Sequence, residues 1–129
     1  MKKRWISLCV CILILASFLT GCGMNTRKIK FGAAGLGGTY RVFGDTFANL
    51  VTSKNKKYSM EVKTTAGSAA NIRLLSDGYI QMAIAQMDLT NDAYERTGIF
   101  ENEKKHGGYS AVAALYTEAC QVVVRADSG

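Results

Sequence analysis

The chain has 129 residues, a formal net charge of +6, four cysteines and no proline. Three of the positive charges, Lys2, Lys3 and Arg4, sit at the very start, so the rest of the chain carries only +3. That mild balance, with no Lys/Arg run interleaved with aromatics, excludes a nucleic-acid partner.

The basic head is followed by an almost wholly apolar run, Ile6 to Phe18, and then by Leu19-Thr20-Gly21-Cys22. This order is that of a secretory leader, and the run is too short to span a bilayer comfortably. Its ending resembles a bacterial lipoprotein box. Residues 1–21 are expected to be a signal peptide, with the Cys22 thiol carrying a diacylglycerol that anchors the protein to the membrane. Residues 22–27 then form a lipidated tether. Cys9 and Cys11 leave with the leader, so Cys120 is the one thiol remaining. An internal disulfide and a cysteine-held metal are excluded, and Cys120, in an apolar run, reads as a small buried residue.

A first strand is expected over residues 28–34. Gly32-Ala33-Ala34-Gly35-Leu36-Gly37-Gly38-Thr39-Tyr40 follows it. Four glycines in seven positions let a ligand approach the main chain, and a helix start beyond them suits an anion. The stretch lacks the Lys-Ser/Thr of a P-loop, since Gly38 stands where the Lys belongs. It also lacks the third glycine of the dinucleotide pattern, where Tyr40 stands. A bare strand-to-helix turn is the competing reading.

A helix is expected over 40–53, where Val42, Phe43, Phe47, Leu50 and Val51 recur at spacings of three and four. Residues 58–64 alternate with period two and predict a second strand. The small-residue turn 65–71 leads into a helix over about 69–76, with Ser68 as N-cap candidate and Gly78 as its C′ residue. A third strand is expected over 80–85 and a helix over about 89–96, capped by Asp88. Residues 97–108 read as a polar loop, with His106 at the surface. Two further strands are expected over 111–116 and 119–125.

Strands alternating with helices predict an α/β fold with a mainly parallel sheet, in which ligands collect at the carboxyl ends of the strands. The Gly loop, the 65–71 turn, Gln86 with Asp88, and Tyr116 with Glu118 each follow a strand. They therefore converge on one edge, as a pocket requires. No nucleophile is paired with a base: Ser68 has no evident His partner, and His106 lies in a charged loop. An enzyme is not expected, nor a cofactor or a metal.

Taken together, Gly35-Leu36-Gly37-Gly38-Thr39-Tyr40, Thr65-Ala66-Gly67-Ser68-Ala69-Ala70-Asn71, Gln86-Met87-Asp88 and Leu115-Tyr116-Thr117-Glu118 resemble the solute-binding subunits of TRAP transporters of the TAXI type. The resemblance covers residues 28–129. It implies a lobe of the type II periplasmic-binding-protein fold, flanked by helices, that captures a small carboxylate, glutamate-like or 2-oxoacid-like, or an amino acid. It further implies delivery to a membrane permease driven by an ion gradient. Family members have two lobes, so residues 28–129 are expected to be the N-terminal part of the first, with the second lobe missing. A binding lipoprotein of an ABC transporter and a surface antigen lipoprotein are the alternatives.

Ligand contacts are expected at Gly37, Gly38, Thr39, Tyr40, Gly67, Ser68, Asn71, Gln86, Asp88, Tyr116 and Glu118. Backbone N–H groups around Gly37–Thr39 and Gly67–Ala69 would take a carboxylate. Tyr40 would close over the solute, and Asp88 or Glu118 would pair with an amino group. Asn71 and Asp88 could equally cap helices, and Tyr116 could simply pack.

Overall fold

The structure, a computed structural model, describes residues 26–119 and 122–128. The expected leader, residues 1–21, the expected lipidation site Cys22, and Cys120 lie outside the described residues.

Strand β1 (Arg27–Gly32) is followed by helix α1 (Thr39–Lys54), strand β2 (Tyr58–Lys63), helix α2 (Ser68–Ser76), strand β3 (Met82–Ala83), helix α3 (Met87–Glu95) and a 3₁₀ turn, Gly98–Phe100. The three strands form one parallel sheet in the order β2-β1-β3. The expected α/β fold is thus observed, and β1, α1, β2 and α2 fall within two residues of their predicted bounds.

The pleat of β1 explains the layering. Phe31 points toward α1, where it meets Phe43 at 6.4 Å and Phe47 at 6.1 Å between ring centroids. Phe43 and Phe47 are one helical turn apart and stack on each other. Met60 and Val62, alternate residues of β2, join this cluster with Ala33 and Ile84. The other face of β1 meets α2. A Cβ at Gly32 would lie 2.6 Å from both Asn71 Oδ1 and Ile80 Cδ1, so only glycine admits α2 this close. A second cluster, Ile72, Ala93 and Phe100, joins α2, α3 and the 3₁₀ turn. Helices therefore cover both faces, as a parallel sheet demands.

α2 ends as predicted. Asp77 is its C-cap and Gly78 follows with φ 75°. Gly78 N–H donates to Leu75 O and Tyr79 N–H to Leu74 O, the paired bonds of a Schellman motif.

Five expectations need correction. Asp88 does not cap α3: the N-cap is Gln86, and Asp88 lies within the first turn. The third strand pairs only over Met82–Ala83 rather than 80–85, because Lys30 N–H is taken by the Gln81 side-chain Oε1 rather than by a main-chain carbonyl. Ser68 does not cap α2. The N-cap is Gly67, and Ser68 Oγ instead accepts from Gln86 N–H at 3.0 Å. No strand forms at 111–116, nor among the described residues of 119–125. A run of apolar residues does not make a strand unless its main chain pairs with a neighbour, and Val112, Val122 and Val123 stay exposed. His106 is not at the surface. It is 2% exposed, edge-on to the Phe100 ring, with Nε2 2.8 Å from Glu103 Oε2.

The loop 97–108 is consequently an anchored segment. Phe100 is fully buried, and the Arg73 guanidinium lies 4.7 Å from its ring centroid. Arg73 also bonds both carboxylate oxygens of Glu103. Those bonds, and then the bond to His106, hold the Glu103 carboxyl down at about 2.

Candidate functional site

The carboxyl ends of the strands deliver three loops to one edge of the sheet. They are followed by the starts of α1, α2 and α3. Between these starts opens a cleft of about 450 Å³ lined by Ala34, Gly38, Thr39, Tyr40, Ala66, Gly67, Ser68, Ala69, Gln86, Leu89 and Glu118. The first-turn N–H groups of a helix have no partner within the helix, and the helix dipole is positive there. The openings of α1 and α2 thus present main-chain donors to the cleft. None of the lining residues is a lysine or arginine.

Local chemistry fixes each loop. Gly67 has φ 86° and ψ −159°, a conformation essentially restricted to glycine. Its N–H donates to Thr65 Oγ1, and Thr65 Oγ1 donates to Ala33 O at 2.9 Å. One hydroxyl therefore ties the turn after β2 to the end of β1. Gly67→Ala is expected to destabilise the protein by about 1–3 kcal/mol, the cost of forcing a side chain into that backbone region. Urea unfolding measures this, and an unchanged midpoint would refute the turn geometry.

Below the cleft floor Asn71 is completely buried. Its Nδ2 donates to Ala33 O at 2.7 Å and to Ile84 O at 2.8 Å, with a longer contact to Gly32 O at 3.3 Å. It thus joins the ends of β1 and β3, from which two of the cleft loops depart.

The polar groups of the cleft meet at its centre. Tyr40 OH donates to Glu118 Oε2 at 3.1 Å and lies 3.5 Å from Ser68 Oγ. Gln86 Nε2 donates to the same Glu118 oxygen at 3.0 Å. Burial raises the Tyr40 phenol, and the Glu118 and Asp88 carboxylates push the same way against the Ser68 hydrogen bond. Tyr116 is raised too, first by burial and then by Glu118. Both phenols therefore enter the physiological range as neutral donors.

Of the residues expected from sequence, Gly38, Thr39, Tyr40, Gly67, Ser68, Gln86 and Glu118 line the cleft together. Gly37 sits in the preceding loop with φ 82°. Asn71 lies beneath the floor, and Asp88 is in the first turn of α3, its Oδ1 accepting from Leu89 N–H. Tyr116 is part-exposed near Glu118. Sequence reasoning did not select Thr65, although a threonine two residues before a glycine is a signal for a hydroxyl-backbone turn. It also left out Ala34, Ala66, Ala69 and Leu89, the small and apolar part of the lining.

A cleft of neutral donors and helix openings at the strand ends of a parallel sheet is suited to holding a small polar solute. A family model described as NMT1-like family matches residues 31–129, which takes in every strand end and helix opening of the cleft. The chain accordingly belongs to the NMT1-like family, a family of extracytoplasmic substrate-binding proteins of transport.

Proposed function

We propose that the protein is a lipid-anchored solute receptor that captures a small carboxylate, glutamate-like or 2-oxoacid-like, for a TRAP-type permease driven by an ion gradient. The observation that carries this reading is the convergence of the α1 and α2 openings, Tyr40, Ser68 and Gln86 on one cleft. Main-chain N–H groups at the two openings would hold the solute carboxylate, and Tyr40 and Gln86 would orient it. Residues 28–129 would supply one wall of the cleft, with closure by a second lobe trapping the solute before it docks on the permease. Cys22 would carry the lipid that keeps the receptor at the membrane.

Titration calorimetry of the full chain with glutamate, glutamine and 2-oxoglutarate tests the reading. At least one of them is expected to bind with a dissociation constant in the micromolar range, about −8 kcal/mol. Absence of heat with all three would end the carboxylate assignment.

A further inference from the structure

We propose that Glu118 is an internal competitor of the solute, filling the acceptor position of the cleft until a solute carboxylate displaces it. The inference rests on the solute-capture reading above and specifies how that site selects its occupant.

Glu118 Oε2 accepts from both Tyr40 OH, at 3.1 Å, and Gln86 Nε2, at 3.0 Å. A single carboxylate oxygen taking two convergent side-chain donors is what a bound solute carboxylate would do. The side chain therefore uses donors that the solute also needs. A second anion entering beside it would meet like charge, and no lysine or arginine among the lining residues offsets that charge.

Glu118 can leave. It belongs to residues 110–119, which form no helix or strand. Leu115 and Tyr116, just before it, are each over 40% exposed. Both of its hydrogen bonds are exposed to solvent, which can take their place as Glu118 leaves. A solute that replaces these two bonds and adds contacts to the helix openings would win the exchange. One that merely replaces them would not. Glu118 thus acts as a specificity-determining residue, setting a threshold that a bare carboxylate fails to pass.

The test compares wild type, Glu118→Gln and Glu118→Ala as full chains, by calorimetry with glutamate, glutamine and 2-oxoglutarate. Hydrogen exchange over residues 110–119 is followed in parallel, and thermal melts verify folding. Glu118→Ala is expected to bind about tenfold more tightly, the scale of one charge-assisted hydrogen bond no longer broken on binding. Glu118→Gln is expected to gain less, since its amide oxygen still occupies the position. Exchange over 110–119, a segment without main-chain hydrogen bonds among the described residues, is expected to stay fast in the wild type when solute is added, since the segment is released rather than ordered. Measurable wild-type binding that is unchanged or weakened in both variants would overturn the competitor role and leave solute capture standing. Slower exchange over 110–119 on solute addition would overturn it as well. No heat from any of the three proteins would overturn both readings together.

Discussion

Replacing Asn71 with aspartate is expected to cost about 3–5 kcal/mol of stability at neutral pH, the range for an uncompensated buried charge, although the two side chains have the same shape. The amide nitrogen faces three carbonyl oxygens, those of Gly32, Ala33 and Ile84. A carboxylate oxygen in its place would meet only acceptors, in a site without solvent. Burial and those carbonyls would raise the folded-state pKa of the introduced aspartate above its unfolded value of about 3.9. The folded state then binds a proton where the unfolded chain has released it, so stability falls as pH rises. The variant should therefore recover toward pH 4, where its protonated carboxyl can donate again. Asn71→Ala lacks that titration and should lose about 1–3 kcal/mol from unsatisfied carbonyls at every pH. Urea unfolding at pH 7 and pH 4.5 separates the two variants. Equal losses for aspartate at both pH values would mean that the amide does not face the carbonyls.

Phe100→Ala is expected to produce a loss of similar size, about 3–5 kcal/mol. The ring is 0% exposed, packs with Ile72 and Ala93, and supports both the His106 ring and the Arg73 guanidinium. Truncation leaves a cavity under α2 and α3 and removes the surface on which the 97–108 segment sits. Ile99→Ala is the control. That side chain is 57% exposed, and its loss should stay within about 0.5 kcal/mol. Against a typical stability of about 5–15 kcal/mol, the Phe100 change alone removes a large part of the total. A midpoint shift no larger than that of Ile99→Ala would show that the 97–108 segment is not anchored through this ring.

The contrast between Phe100 and Phe31 shows what can be read from sequence. Phe31 lies in an alternating strand, and its partners Phe43 and Phe47 lie on a helix with clear periodicity, so local pattern places all three in a core. Phe100, with only Ile99 beside it as an apolar neighbour, shows no periodic pattern, and its burial depends on α2 and α3 meeting above it. The same holds for His106, whose partners Glu103 and Phe100 are near in sequence but are turned inward by that anchor. Asn71 was legible as a residue at a helix start. Its grip on carbonyls 38 and 13 residues away was not, because no local pattern encodes a bond between the ends of two strands. The cleft was more readable. Each strand end was marked by glycine, small or polar residues, and the parallel topology necessarily brings such ends together. The runs 111–116 and 119–125 misled for the converse reason. Their apolar composition describes a side-chain preference, whereas a strand also requires main-chain hydrogen bonds to a neighbouring strand.

The strand order β2-β1-β3 places the earliest strand at the centre of the sheet, with Phe31 in register with Val62 on one side and Met82 on the other. During synthesis β1 emerges first, yet its second edge is not covered until residue 83 has followed. Both contacts are long in sequence, so loop-closure entropy delays them, and β1 spends that interval with unpaired main-chain groups beside its apolar side chains. An exported chain would cross the membrane in this state. Lys28 and Lys30, alternating with Ile29 and Phe31 along β1, then have a second use. Positive charges on an open strand oppose pairing with another copy, keeping the nascent centre of the sheet single until its own neighbours arrive.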